Sequence, residues 1–341
     1  MRVLHLLSSP VFSGPAEAVA LLAGAQRRAG AEVSVAVDRT RPGTGTEEPA
    51  APRFEALGLL DGRGLQLSAR GGLLRLLGDA RRLARAEVDV VHCHLSHDHW
   101  VARLGRPGSA RLVRSLHAPR SLRWSLPAAD AMTVPVPELA ARLPKGPSMV
   151  LPALVDTAVF RPVAGRVALR RSLDLPAGPV VGMTSTFQAS RRHDLALAAF
   201  AELVVRVPEA TLVLLGDGAL EPGIRARVRS LALEQHVRLP GYQRGPELVR
   251  WLQAFDELWV LGLGNDWAGR AALQARACGV RVVAAPLGAL PRWADVVPGE
   301  LTPVAIARAA LGVERRTAAV PDVDAVASEL LALYRSAGAR G

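Results

Sequence analysis

The chain has 341 residues, half of them apolar and 21% charged, the balance of a folded globular protein and not of a disordered or fibrous one. That length is about twice one ordinary domain, so two units with separate cores are expected. The formal net charge is +11, and Lys145 is the single lysine among 42 basic residues; such a field favours acidic partners, whether phosphorylated substrates, anionic headgroups or nucleic acid.

The opening apolar run, 2–7, is interrupted by His5 and stops at Ser8-Ser9-Pro10, so it reads as a first strand and not as a signal peptide. From there short apolar runs alternate with helical patterns, the signature of βαβ units feeding a parallel sheet. In the first half, strands are expected at 2–7, 32–37, 88–92, 111–115 and 131–134. Helices fit 16–28 and 73–85, where leucine and alanine recur at three- and four-residue spacing. Residues 39–52, rich in Gly, Pro, Thr and Glu without periodicity, read as a surface loop. Prolines punctuate 143–178, where the linker between domains is expected. In the second half, strands are expected at 180–183, 211–215, 237–239, 257–260 and 280–284, and helices at 193–205, 221–233, 247–254 and 270–278. The expected domains are 1–160 and 161–322, with a terminal helix over about 323–341 packing back on the first.

Cys93 and Cys278 fall in different expected domains and offer neither a disulfide framework nor a zinc-ribbon spacing, which fits a reducing cytoplasm. No stretch approaches the roughly 20 apolar residues that span a bilayer, so any membrane contact is expected to be peripheral. In parallel α/β sheets ligands bind outside the carboxyl ends of the strands, at a topological switch point. That rule singles out the polar or glycine-rich segments 8–15, 92–99, 117–120, 184–192, 216–218 and 262–269.

Three segments carry a resemblance: Asp89-Val90-Val91-His92-Cys93-His94, Val155-Asp156-Thr157-Ala158-Val159-Phe160-Arg161-Pro162, and Leu273-Gln274-Ala275-Arg276-Ala277-Cys278-Gly279. Through them, and over nearly its whole length, the chain resembles the glycosyltransferases of family 4. The resemblance implies an α/β GT-B fold, two Rossmann-like domains facing each other across a cleft. It also implies metal-independent transfer of sugar from a nucleoside-diphosphate donor with retained configuration.

Residue roles follow from the same resemblance. The family's two glutamates, eight positions apart, align with Asp266, which would face the transferred sugar, and Gln274, which would meet the nucleotide ribose. Gln274 keeps an acceptor oxygen but no charge, and charge-assisted hydrogen bonds are roughly twice as strong as neutral ones. Of the two cations that grip the donor diphosphate in the family, the first aligns with Thr186 and the second with Arg191. Arg191, joined by Arg192 or Arg270, then offsets the diphosphate charge together with the helix-start amides around Gly269. His117 aligns with a histidine that contacts the transferred sugar and is, with Asp266, the catalytic candidate; standing alone it would read as a core or capping histidine. Gly14 matches the first glycine loop, where a missing side chain lets the backbone approach the donor. Gly216, Asp217 and Gly218 match a loop facing the nucleotide, and alone would be a turn.

The run His92-Cys93-His94-Leu95-Ser96-His97-Asp98-His99 has the composition of a zinc site. Zinc needs about four ligands in tetrahedral convergence, which a strand-end loop rarely supplies; no metal and no other cofactor is expected, and His94 and His97 are assigned to the acceptor side of the cleft. Asp322-Val323-Asp324 precedes a helix and reads as an N-cap. Arg103, Arg106, Arg111, Arg114, Arg120 and Arg123, flanked by Trp100 and Trp124, suit an anionic membrane surface or a plain solvated face. No nucleic-acid-binding motif accompanies the charge, so nucleic acid is not an expected partner. The expected function is transfer of a hexose or similar sugar to a surface polysaccharide or lipid-linked glycan acceptor, in the cytoplasm or peripherally on the inner face of the cell membrane. The altered positions Thr186, Asp266 and Gln274 motivate an alternative, a catalytically impaired GT-B protein that binds a nucleotide-sugar or partner without turnover.

Overall fold

A computed structural model describes residues 1–41, 48–122, 128–264 and 267–337. In chain order the elements are β1 (Arg2–Leu7), α1 (Gly14–Arg28), β2 (Glu32–Val37), α2 (Ala50–Ala56), α3 (Gly72–Ala84), β3 (Val90–Cys93), α4 (Ser96–Gly105), β4 (Arg111–Ser115), β5 (Ala131–Val134), α5 (Pro137–Ala140) and β6 (Ser148–Val150). There follow α6 (Arg166–Ser172), β7 (Val180–Thr184), α7 (His193–Arg206), β8 (Thr211–Leu215), α8 (Glu221–Ser230), β9 (Val237–Gly241), α9 (Gly245–Ala254), β10 (Glu257–Val260), α10 (Arg270–Ala277), β11 (Arg281–Ala284), α11 (Leu290–Trp293), α12 (Pro303–Ala309) and α13 (Val323–Ser336). The chain divides into two compact units, Met1–Leu154 with Pro321–Gly341, and Val155–Val320.

Among the described residues each unit holds one parallel sheet, six strands in the order β2-β1-β3-β4-β5-β6 and five in the order β11-β10-β7-β8-β9. Each sheet starts from an interior strand and grows in both directions, so strand order reverses between β1 and β3 in the first unit and between β7 and β10 in the second. Those are the switch points at which loops on the carboxyl edge diverge and leave a crevice. The near-continuous apolar runs of the strands, such as Thr211–Leu215, match sheets covered by helices on both faces. In the first unit Val3, Leu22 and Ala25 pack with Val326, Leu330, Leu331 and Tyr334 of α13. In the second, Leu197, Phe200, Leu212, Leu214 and Trp259 form the centre of the core.

Several polar groups inside the cores are paired. Glu257 and Arg281 form a fully buried ion pair, and the Glu257 carboxylate also accepts from Trp259 Nε1 (2.5 Å) and Leu311 N (2.8 Å). Histidines are buried as well: His5, His92 and His99 are fully covered and His94 and His193 are 3% exposed. Burial pushes His5, His99 and His193 down to about 4 and holds His92, His94, His97 and His117 below the ordinary imidazole range. The buried carboxyl of Asp98 is pushed the other way, up to about 7.

Two outcomes are expected. Glu257→Leu strands the Arg281 charge in the core and lowers unfolding free energy by roughly 3–5 kcal/mol in urea melts. The histidines stay neutral when folded but charge when unfolded, so their contribution is complete above about pH 6.5 and is lost as pH falls towards about 4. Asp98, between about pH 4 and 7, and Glu257, whose carboxyl burial also raises, oppose this, two groups against seven, so the melting temperature is higher at about pH 7.5 than at about pH 5.

Candidate functional site

In the first unit the site is built at the ends of β1, β3 and β4. The Asp98 carboxylate accepts from Ser8 N (2.8 Å), Leu95 N (2.8 Å) and His94 N (3.3 Å). One buried side chain thereby caps the start of α4 and ties the loop after β1 to the loop after β3. Gly14 opens α1 directly after the first of these loops. His94, at the end of β3, stacks on His92 at 4.4 Å and on His5 at 5.2 Å between ring centroids.

His117 lies two residues beyond β4. Its ring is 6.2 Å from that of His94 and tilted 25° from it, and the His94 backbone hydrogen-bonds it, opposing the loss of basicity that burial causes. Its Nε2 is buried and has no hydrogen-bond partner among the described residues. A neutral imidazole with one unused nitrogen is equipped to exchange a hydrogen bond with a hydroxyl group.

The segment 92–99, expected to be a loop, becomes helical at Ser96. His97 therefore sits in the first turn of α4, half-buried, where the carboxylates of Asp38 and Asp79 counter part of the desolvation. His99 turns inward, its Nδ1 3.0 Å from Arg114 Nη1. This corrects the reading of the arginine run as one surface face. Arg114 is 4% exposed because β4 is an interior strand, and Arg106 is engaged by Asp130. Arg123 and Trp124 lie outside the described residues. The surface nearby is instead formed by α3 and α4, which expose Leu73, Leu74, Leu77, Trp100 and Leu104 together with Arg75, Arg81, Arg82 and Arg103. Asp322 caps α13 by accepting from Asp324 N at 3.0 Å, and Asp324 receives Arg28 Nη2 at 2.7 Å.

His92 and His94 do gather with a third histidine, but it is His5, their neighbour on β1, and not His97 or His99. Potential ligand atoms of the three lie within 4.8 Å of one another. Each side chain is already engaged in hydrogen bonding: His5 with His94 and Gln26, and His92 with Tyr334 and Ser115. No motif spacing in the sequence announces His5, Gln26 or Tyr334; the in-register pairing of His5 with His92 across parallel strands is what brings them together.

In the second unit the loops after β7, β8 and β10 are stitched together by their backbones. Phe187 N donates to Asp217 O (2.6 Å), Ser185 N to Leu215 O (3.0 Å) and Leu263 N to Ser190 O (3.1 Å). Gly216 is required there: its φ is +153°, and a Cβ would lie 2.0 Å from the Ser185 carbonyl oxygen. Thr186, Asp217 and Gly218 are exposed on these loops. Arg191, at the end of the turn Ala189–Arg191, has a buried Nε with no partner among the described residues. His193 beside it bonds Ser185 Oγ through Nε2 (3.2 Å) and keeps a buried, unpartnered Nδ1. Gly269, at φ +67°, begins α10, which carries Arg270 and then Gln274, 5% exposed. All of these predicted positions sit on loops or helix starts that follow three adjacent strands. Asp266 lies outside the described residues.

Comparison with known proteins agrees with this architecture. The family model for Glycosyltransferase Family 4 matches residues 12–159, and that for Glycosyl transferases group 1 matches residues 178–336. Among curated proteins, a D-inositol 3-phosphate glycosyltransferase of Segniliparus rotundus is 34% identical over 158 residues, 45% of this chain and 35% of that protein. The Mycobacterium avium protein of the same name is 31% identical over 208 residues, 54% of this chain and 48% of its own length. The matched region thus spans between about a third and a half of these relatives. Among solved structures, a glycosyltransferase from Rickettsia africae superposes with a TM-score of 0.77 at 14% identity, covering 100% of this chain and 99% of that one. Anabaena HepE, solved in complex with UDP and glucose, gives 0.71 at 18% identity, covering 98% of each chain. At such identities the likeness is one of fold, and with the two family matches it is decisive: the chain belongs to glycosyltransferase family 4, the group 1 glycosyl transferases, and has their GT-B fold.

Proposed function

We propose that the chain transfers a sugar from a nucleoside-diphosphate donor to a hydroxyl of a surface polysaccharide or lipid-linked glycan, with retained configuration and without a metal ion. The observation that carries this reading is Arg191 at the carboxyl ends of the second unit's strands, whose buried Nε has no hydrogen-bond partner among the described residues. A guanidinium with a free N–H in such a place suits an oxyanion, and the start of α10 adds backbone amides and a favourable dipole. Gln274 would accept from the ribose. His117 Nε2 would meet a hydroxyl of the transferred sugar, and Asp266 would face the same sugar. As the bond from sugar to phosphate breaks, the leaving diphosphate takes the acceptor's hydroxyl proton, and the new bond forms on the same face of the sugar. The HepE complex with UDP-glucose supports that compound as the first donor to try, and the relatives' name supports D-inositol 3-phosphate as an acceptor to try beside glycans.

The exposed leucines and arginines of α3 with Trp100 of α4 suit peripheral contact with an anionic membrane, where apolar side chains enter the headgroup region and guanidiniums meet phosphate. No described helix is long and apolar enough to cross a membrane.

A second reading, binding without turnover, is favoured by the exposed Thr186 and the uncharged Gln274. Incubating purified protein with nucleotide-sugars and acceptors separates the two. Release of nucleoside diphosphate with a glycosylated product is expected, and Arg191→Ala should lower kcat/KM by about 10- to 100-fold through loss of a charge-assisted contact. Thermal stabilisation by a sugar nucleotide without product from any donor supports the silent protein instead. For the membrane contact, co-sedimentation with phosphatidylserine vesicles is expected to fall in Leu73→Asp/Leu74→Asp, with neutral vesicles binding neither form.

A further inference from the structure

Three buried imidazoles of the first unit, those of His5, His92 and His94, belong to one chain of hydrogen bonds. Gln26 on α1 turns its amide oxygen to His5 Nε2 (2.8 Å) and its amide nitrogen to the Tyr334 hydroxyl on α13 (3.2 Å). An amide oxygen only accepts, so His5 carries its proton on Nε2, and the Nδ1 of the neutral ring holds a lone pair. That lone pair faces His94 Nε2 at 2.9 Å, which must then be the N–H. At the other end the Tyr334 oxygen accepts from Gln26 and donates to His92 Nδ1 (2.6 Å). His92 Nε2 then carries the ring proton and donates to Ser115 Oγ (2.8 Å), which shares a hydrogen bond with Thr133 Oγ1 (2.8 Å). Each donor in the chain has one acceptor, and a neutral ring at every histidine is what burial enforces.

We propose that Gln26 and Tyr334, both remote from the strand-end loops, are positioning residues: through this chain they hold His94 in the Nε2–H tautomer and fix its Nδ1 as a hydrogen-bond acceptor for a hydroxyl of the acceptor sugar. The inference rests on the transfer reading and sharpens it, because an imidazole lone pair takes a hydroxyl and rejects an anionic oxygen. Among the described residues no hydrogen bond reaches His94 Nδ1, whereas Nε2 and the backbone N–H are both used. The neighbouring ring of His117 likewise keeps a nitrogen, Nε2, without a protein partner.

Long-range proton–nitrogen spectra of the full chain with labelled histidine, His94 being assigned by its loss in His94→Gln, read the tautomer without any turnover. The unmutated chain should show His94 protonated at Nε2. Gln26→Leu should lose that single tautomer and raise the acceptor KM about fivefold, the worth of one neutral hydrogen bond, with the donor KM unchanged. Tyr334→Phe keeps the ring in the core but removes the link to Gln26, and should mix the tautomers even if Gln26→Leu fails to fold. A proton on Nδ1 of His94 in the unmutated chain overturns the proposal, as does a folded Gln26→Leu with the original spectrum and acceptor KM. Stoichiometric zinc lost in His5→Ala overturns it too, since a metal on these nitrogens displaces the protons. A chain that holds the tautomer yet transfers no sugar counts against the transfer reading alone.

Discussion

A parallel sheet that begins at an interior strand must send successive crossovers to opposite sides, and where they part the loops cannot close over the strand ends. Both units obey this constraint, at β1/β3 and at β7/β10. Several candidate residues lie at places it creates: His94 and Gly14 on the loops of the first switch point, Arg191, Gly269 and Arg270 on those of the second. His117 and the segment Gly216–Gly218 follow the next strands outward. Local sequence then tunes what the topology has opened, with a carboxylate clip in one unit and glycine-permitted close approach of backbones in the other.

The two units treat buried polarity differently. The second buries the ion pairs Glu257–Arg281, beside α12, and Asp295–Arg276, and among the described residues leaves Arg191 Nε and His193 Nδ1 without partners near the strand ends. The first runs a polar seam through its core, from Thr133 to His94, with a tyrosine contributed by the last helix. Apolar replacements fill a core as well as such a seam does, but only directional bonds fix which nitrogen of an imidazole holds its proton. That is the physical reason to associate the seam with the chemistry at its end and not with stability.

Much of the fold was legible because its signal is local. The alternation of apolar strands and amphipathic helices placed ten of the strands within a residue or two of their observed bounds, since a strand covered on both faces is a short apolar run. The strand Ser148–Val150 was missed: three residues among prolines carry no period. The helix Ser96–Gly105 carries no helix expectation, and its first residues, 96–99, read as part of a loop because histidines and an aspartate mask the start, which Asp98 itself caps. At the candidate site, Arg191, Gly216 and His117 are singled out through family resemblance, and geometry adds that among the described residues Arg191 and His117 each keep a buried nitrogen without a partner. His5, Gln26 and Tyr334 were not found, because what unites them is strand register and the docking of a helix over three hundred residues away in sequence. Arg114 was misread for the converse reason: charge on a strand says nothing about whether that strand is interior.

The first unit is made of two pieces, residues up to Leu154 and those from Pro321 onward, with the second unit lying between them in the chain. The helix that covers Val3 and Leu22 and supplies Tyr334 is therefore made only after all of the second unit. The nascent amino-terminal half waits on the ribosome with an apolar flank uncovered, a natural point for chaperone engagement, and matures only when the final turns emerge.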